Sequence, residues 1–243
     1  MTPGPSPLTV RIVLLLALAW AAPAAFAYSN QRVATDANGQ PVHIAGSVVI
    51  VEPNIELTEV LAGGVQEPRR EWSEAARRLY PAEVHRRLAA AGTRQQPDFD
   101  IPDALPPESR LGQVLRLNDA VSMSVLAYTT PGNELATKRG KQLDWTLGPG
   151  VEELRRQTGA DYALFTYIRD SYTSGGRAAM RIIGFLLLGG DVGGGMQIGL
   201  ASLVDLRTGQ VVWHNLLLDQ TGDLRDPAGA HETAGDLLKG IRR

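Results

Sequence analysis

The sequence predicts an α+β (mixed α/β) fold, a single mostly antiparallel sheet with helices packed on it. Two continuous apolar runs, residues 47–51 and 162–168, are typical of strands buried on both faces. Between these runs, apolar residues recur at three- and four-residue spacings over two long stretches, as in amphipathic helices. After the second run, the sequence pattern predicts further strands, joined by glycine-containing turns, and a closing helix.

Composition places the chain among ordinary globular proteins and excludes several functional classes. It has 243 residues, no cysteine, 24 Lys+Arg against 26 Asp+Glu, and 44% hydrophobic residues. The moderate charge and the apolar content predict a packed core. The lack of cysteine excludes disulfide scaffolds, thiolate metal centres, thiol catalysis and lipidation on an N-terminal cysteine. The near-neutral charge argues against nucleic-acid binding, which needs concentrated lysine and arginine.

Residues 1–27 are typical of a secretory signal peptide. A basic residue precedes the apolar run 12–20, and residues 25–27 (Ala-Phe-Ala) have the small-x-small pattern that signal peptidase accepts. Cleavage is predicted between Ala27 and Tyr28. An uncleaved membrane anchor is the alternative. A spanning helix needs about 20 apolar residues, however, and this run is much shorter. We therefore expect an exported, periplasmic protein.

The mature chain is expected to form one domain. Residues 28–46 are polar and indicate an extended lead-in, and residues 47–243 are predicted to be a single α+β domain. The first strand, residues 47–51, ends before Pro53. The alternation of apolar residues with glutamates that follows indicates a short edge strand.

A long helix is predicted over residues 69–88, with Trp72, Ala76 and Leu79 on its inner face. Pro81 should kink this helix or split it in two, because proline removes a helical hydrogen bond. Pairs of arginine residues lie on the opposite face. They suggest a surface for nucleic acid or anionic lipid, but the glutamates between them favour an ordinary solvated face.

A second helix is predicted after a proline-rich loop at residues 95–107. Apolar residues recur there at three- and four-residue spacings, and Ser109 precedes them as a candidate N-cap. These apolar residues are Val114, Leu117, Val121 and Val125.

A short third helix is predicted before the central strand. Pro149 suits a first helical position, and Gly159 suits a left-handed C-terminal cap. Asp161 is then expected to make a local bond in the turn from helix to strand.

Three antiparallel strands and a closing helix are predicted for the remainder of the chain. Gly209 is expected to have a positive φ in the hairpin between the last two strands, and Asp205 to cap that turn. Trp213 is expected in the core. The strands cover residues 177–188, 196–206 and a run that begins at 211, and the helix runs from residue 226 or 227 to 241.

No segment has the residue pattern of a known catalytic or metal site. The glycine-rich segment 189–195 lacks the lysine and hydroxyl residue of a phosphate-binding loop and is interpreted as a turn. The four histidines are too scattered for a local metal pair, and no Gly-x-Ser-x-Gly elbow occurs. We therefore predict no catalytic, cofactor-binding or metal-binding residue and no cofactor. The assigned site is signal cleavage at Ala27 and Tyr28.

The stretch 178–204 raises the question of membrane contact. Arg181 and Asp191 oppose a spanning helix, because a central charge costs about 2.5–3.5 kcal/mol on insertion. A membrane-inserted hairpin over residues 177–206 stays open as an alternative, because strands of about 9–11 residues suffice. Membrane association is thus possible without a spanning helix, and the sequence leaves the oligomeric state open.

Four segments resemble a group of bacterial envelope proteins that includes CsgG, LpoB and the N-terminal domain of TolB. They are the strand 48–53, the helix start 71–76, a Gly-Ala-Asp step within 158–164 and an Asp-x-x-Thr-Gly hairpin within 204–213. The resemblance covers about residues 47–217. It implies the same fold, CsgG/TolB-N-like, and a role in the cell envelope, but no catalytic residues. Many members carry a lipidated cysteine after the signal, and the tyrosine in its place here favours a soluble periplasmic form.

Three functional hypotheses follow. The first is a non-enzymatic periplasmic protein that docks on an envelope protein partner, in cell-envelope assembly or transport, through a sheet edge or the arginine-bearing helix. The second is a periplasmic hydrolase with an unidentified site in the 95–107 loop or at the mouth of the glycine-rich hairpin. The third is an oligomeric membrane-associated pore component that uses the 177–206 hairpin.

Overall fold

The computed structural model describes residues 27–36, 38–61, 65–129, 135, 143–173, 196–219 and 222–241. Within these residues the chain forms an eight-stranded mixed sheet with helices on both of its faces. This is the α+β fold that the sequence predicts.

The strands are β1 (Ala27–Val33), β2 (Ser47–Ile50), β3 (Asn54–Val60), β4 (Gln66–Pro68), β5 (Arg94–Gln95), β6 (Tyr162–Thr173), β7 (Gln197–Asp205) and β8 (Val211–Asp219). They lie in the order β1-β8-β7-β6-β2-β5, and β3 also pairs with β6 and has β4 on its outer side. Four of the seven pairings are antiparallel. The three parallel pairings are β6 with β2, β6 with β3, and β2 with β5.

The helices cover the two faces of the sheet in pairs. They are α1 (Arg70–Ala90), α2 (Arg110–Thr129), α3 (Glu152–Thr158), which a 3-10 turn (Gly148–Val151) precedes, and α4 (Pro227–Leu237). Alternate residues of β2 enter two separate apolar clusters: Val48 and Ile50 pack towards α1 and α4, and Val49 packs towards α2 and α3. The strand is therefore buried on both faces, as predicted.

Several predicted caps and turns are confirmed. The Ser109 hydroxyl accepts a hydrogen bond from the Gly112 N–H at 3.1 Å and caps α2. Gly159 ends α3 with a φ of 66°. The Asp205 carboxylate accepts a hydrogen bond from the Arg207 N–H at 2.7 Å and so caps the β7–β8 turn.

The first helix differs from its prediction. It runs without a break through Pro81, because Tyr80 and Val84 on either side are fully buried in the same cluster and their packing outweighs the lost hydrogen bond. Its buried face is also rotated from the expected one. Leu79 and Trp72 are only half-buried.

The second helix buries Val114 and Val125 as predicted but differs from its prediction at Leu117. Leu117, expected inside, is 42% exposed, and Asn118 and Ser122 face the sheet in its place. The physical reason is that the sheet is polar at this point: the Ser122 hydroxyl lies 3.2 Å from the hydroxyl of Ser202 on β7. A pattern of apolar residues along one helix cannot show a polar partner on another element.

Residues 28–46, expected as an extended lead-in, contain a strand of the sheet. All seven residues of β1 pair with β8, with Val33 opposite Trp213. Among the described residues, the sheet therefore begins at Ala27 and not at Ser47. Because the segment is polar and lacks a regular apolar alternation, this pairing has no signal in the sequence.

Asp161 makes a bond to another strand in place of the expected local turn bond. Its carboxylate accepts hydrogen bonds from the Ser47 N–H at 2.9 Å and the Ser47 hydroxyl at 3.1 Å. These bonds tie the start of β6 to the start of β2. They also hold the pKa of Asp161 below its ordinary value.

Candidate functional site

One edge of the sheet is long and open. In the part of the chain that the structure describes, β1 pairs only with β8, and its other side ends the sheet. The opposite edge consists of β4 and β5, which have three and two residues. Short strands of this kind protect an edge against pairing with another chain, and β4 also ends in proline. The seven residues of β1 contain neither proline nor a bulge.

The outward backbone groups of β1 follow from its ladder with β8. Ala34 donates its N–H to the Val212 carbonyl at 2.9 Å, so Val33 and Trp213 form a non-hydrogen-bonded pair. Hydrogen-bonded and non-hydrogen-bonded pairs alternate along an antiparallel ladder. Ser29 and Gln31 therefore direct their N–H and C=O groups away from β8, as Val33 does. These groups can pair with an added strand.

Side chains hold the open strand in place on the α4 side. The Ser29 hydroxyl donates to the Asn215 side chain at 3.0 Å. Asn215, fully buried on β8, donates in turn to two carbonyl groups at the end of α4, at 3.0 and 2.8 Å. Gln31 donates to the Gly240 carbonyl at 3.1 Å. These contacts keep the edge in a fixed extended conformation, which lowers the entropy lost when another strand binds.

The predicted cleavage site coincides with the start of this strand. Ala27 and Tyr28 are its first two residues, and Tyr28 is 40% exposed. Residues 1–26 lie outside the described residues, so cleavage between Ala27 and Tyr28 stays a prediction. Cleavage there would leave Tyr28 as the N-terminal residue of the edge strand.

The arginine-bearing helix is a weaker docking surface than the edge. Three of the six arginines of this segment, Arg69, Arg70 and Arg86, each pair with a glutamate, namely Glu59, Glu74 and Glu83. These pairs weaken the positive field that nucleic acid or anionic lipid would need. This agrees with the solvated face that the sequence analysis favours.

A cleft next to the 95–107 loop was the expected place for a hydrolase site. It has a volume of about 320 Å³ at the end of β2, and its described lining combines carboxylates with two arginines and apolar residues. No serine, threonine or histidine is among those lining residues, so the described lining offers no hydroxyl nucleophile with a histidine base. The lining residues are Ile50, Glu52, Pro53, Arg77, Arg78, Pro81, Asp98 and Asp100.

His85 lies on α1 near this cleft but is engaged on both sides of its ring. Nδ1 is 2.6 Å from the Gln95 side chain, and Nε2 is 3.0 Å from the Asp98 carboxylate. Burial lowers the pKa of His85, but these hydrogen bonds outweigh it and raise the pKa above its ordinary value. Among the described residues, no group of three or more His, Asp or Glu could hold a metal ion.

A serine–histidine contact that the sequence analysis missed lies inside the protein. The Ser202 hydroxyl is 2.9 Å from Nδ1 of His214, because β7 and β8 place the two residues opposite each other. Ser202 and His214 are 3% and 2% exposed. Burial lowers the pKa of His214 to about 4, and Arg32 adds to this effect. Since substrate cannot reach it, we interpret this contact as polar packing under α2.

The predicted hairpin over residues 177–206 is described only in its second half. Residues 177–195, with the glycine-rich segment 189–195, lie outside the described residues. Its second strand is β7, which pairs with β6 on one side and with β8 on the other. None of the described helices is long and apolar enough to cross a membrane.

A buried carboxylate lies at the other end of the sheet, on the α4 side. Asp170 on β6 is 2% exposed and accepts hydrogen bonds from the Tyr172 hydroxyl and from the Gln197 side chain, the latter at 2.9 Å. Gln197 in turn accepts from the Thr233 hydroxyl on α4 at 2.9 Å. This network joins α4 to the sheet. Burial raises the pKa of Asp170 to about 6, although both hydrogen bonds oppose the shift.

Asp170→Asn should remove part of the pH dependence of stability. The folded protein binds a proton at Asp170 up to a pKa of about 6, against 3.8 in an unfolded chain, so folding favours the protonated form. The contribution of Asp170 to the free energy of unfolding is therefore highest at low pH and falls as pH rises through 4 to 6. We expect this residue to account for a fall of about 2 kcal/mol between pH 4 and 7. Urea unfolding of both proteins at both pH values measures it, and parallel pH profiles would contradict it.

Comparison with known proteins gives only distant structural likenesses. No protein-family model and no curated protein matches the chain. Among solved structures, two PelC dodecamers from Paraburkholderia phytofirmans, one of a point variant, are similar to it. The first has 12% sequence identity and a TM-score of 0.41 over 89% of this chain and 99% of that one. The second has 13% identity and a TM-score of 0.40 over 90% and 99%. We transfer neither activity nor assembly from them.

Proposed function

We propose that this protein is a non-enzymatic, exported accessory protein that docks on a partner protein in cell-envelope assembly or transport. The observation that carries the proposal is the open edge of β1, whose outward N–H and C=O groups have no neighbouring strand among the described residues. An extended partner segment would pair with this edge as an added strand. The signal-peptide pattern of residues 1–27 and the resemblance to envelope proteins support the location.

Docking at an edge fits the described residues better than catalysis. The cleft beside the 95–107 loop has no serine, threonine or histidine in its described lining, and the Ser202–His214 contact is buried. A long, regular edge strand without proline is in contrast a surface that proteins usually protect. A binding role would explain why this edge lacks such protection.

Substitution of Gln31 tests this role with a matched control. Gln31→Pro removes an outward N–H and places a ring at the edge, whereas Gln31→Ala keeps the N–H. Both variants lose the same side-chain bond to Gly240, so they differ in the backbone at residue 31 and not in that bond. We expect a tagged protein purified from envelope extracts to retain its partner as wild type or Gln31→Ala, and to lose it as Gln31→Pro.

The comparison counts only proteins other than this chain, identified by mass spectrometry. Far-UV circular dichroism of both variants checks that the sheet is intact. Equal retention of a partner by Gln31→Pro and Gln31→Ala would reject β1 as the docking site. Failure to recover any specific partner with the wild-type protein would reject the proposed function itself.

A further inference from the structure

We propose that the strand which β1 accepts in the free protein is β1 of a second copy of this chain, so that two sheets join in a symmetric dimer. The inference rests on the proposed function, because it uses the same open edge. A partner segment must then displace one copy before it docks. The argument depends on the register and the charges of the strand.

Antiparallel pairing with its twofold axis at Asn30 joins residues 28–32 of both copies, all of which remain after the predicted cleavage. In this register Ser29 of one copy lies opposite Gln31 of the other. Both residues direct their N–H and C=O groups outward, as the Ala34–Val212 bond establishes. The two residues therefore exchange hydrogen bonds in both directions at each end, which satisfies the outward backbone groups of Ser29 and Gln31.

The side chains of β1 are complementary in the same register. Tyr28 of each copy lies opposite Arg32 of the other, which places a cation beside an aromatic ring. Arg32 is the only charged residue of β1, and it does not meet its own copy. The two Asn30 side chains meet at the axis, where amides can donate to and accept from each other. No like-charged side chains are opposed in this register, whereas opposed like charges would protect an edge against pairing.

A single cysteine at the axis tests the register, because the chain has no native cysteine. Asn30 faces its copy in a non-hydrogen-bonded pair, where the Cα atoms are about 4.5 Å apart, within reach of a disulfide. We expect Asn30→Cys to form a covalent dimer under mild oxidation. Ser29→Cys is the matched control, since residue 29 lies diagonal to its copy at about 7–8 Å and should stay monomeric on a non-reducing gel.

The chain is expressed in full, so that its N-terminus is processed as in the native protein. Sedimentation equilibrium of the purified wild-type protein and Gln31→Ala should give a dimer, and Gln31→Pro should give about half that mass. A monomeric wild type, or faster cross-linking of Ser29→Cys than of Asn30→Cys, would overturn the inference. Because no partner is present, these outcomes are independent of capture from envelope extracts. A dimer without a captured partner leaves the inference standing and rejects only the proposed function.

Discussion

Replacement of Trp213 by alanine is expected to lower the free energy of unfolding by about 3–5 kcal/mol. Trp213 is 2% exposed and lies on β8 between Val33 of β1 and Leu203 of β7. Its side chain belongs to the apolar cluster under α1 and α4, so its removal leaves a large cavity at the base of the open edge. Urea unfolding followed by far-UV circular dichroism measures the loss.

Trp72→Ala is the matched control for this prediction. Trp72 is half-buried, meets the Tyr172 ring edge-on at 5.6 Å, and lies beneath Arg225 at 5.0 Å. Its neighbours can close over the gap or be hydrated, so we expect less than half of the Trp213 effect. Equal losses from the two substitutions would contradict the placement of Trp213 in the core.

Gly209→Ala is expected to destabilise the protein more than a change of one methyl group normally does. Gly209 has a φ of 77°, and a Cβ atom there would lie 2.2 Å from the carbonyl oxygen of Gly148. The left-handed conformation alone costs a non-glycine residue about 1–2 kcal/mol. The backbone must also move, which strains the Leu147 N–H bond to the Gly209 carbonyl at 2.8 Å. We expect a total loss above about 2 kcal/mol.

Gly159→Ala separates the two contributions, because it shares the conformation without the crowding. Gly159 has a φ of 66° at the end of α3, and a Cβ atom there would meet nothing within 4 Å. Its substitution should cost only the conformational part, about 1–2 kcal/mol. The two variants are compared by urea unfolding. A Gly159→Ala loss as large as that of Gly209→Ala would show that the approach of Gly148 has no energetic weight.

Local chemistry was what the sequence predicted well. The caps at Ser109 and Gly159 and the turn at Asp205 and Gly209 depend on neighbouring residues, so their patterns are visible in the chain. The strands buried on both faces are visible for a similar reason, because continuous apolar runs need no knowledge of partners.

Contacts between residues far apart in the chain could not be predicted from the sequence. Ser202 and His214 meet only because β7 and β8 have a particular register, and Asp161 reaches Ser47 from 114 residues away. The exposure of Leu117 on α2 has the same origin, since the polar Ser202 that Ser122 meets comes from a later strand. The spacing of apolar residues along one helix or strand does not show which residues of other elements it will contact.

The candidate site was only partly predictable. A sheet edge was among the expected docking surfaces, but β1 itself lay in a segment predicted to be a lead-in. The strand has the sequence Ala-Tyr-Ser-Asn-Gln-Arg-Val, in which polar residues occupy both faces. An edge strand half exposed on both faces has little apolar signal, so its pairing with β8 is evident only from the structure.

Hydrogen exchange of the β1 amides tests the open edge most directly. The inward N–H groups of Asn30 and Arg32 should be protected at every protein concentration, because they bond to β8. The outward N–H groups of Ser29 and Gln31 should exchange fast in dilute protein and become protected as concentration rises. Protection of these outward amides at all concentrations would show that the chain already covers its own edge. Their fast exchange at all concentrations, with or without envelope extract, would equally contradict the role assigned to β1.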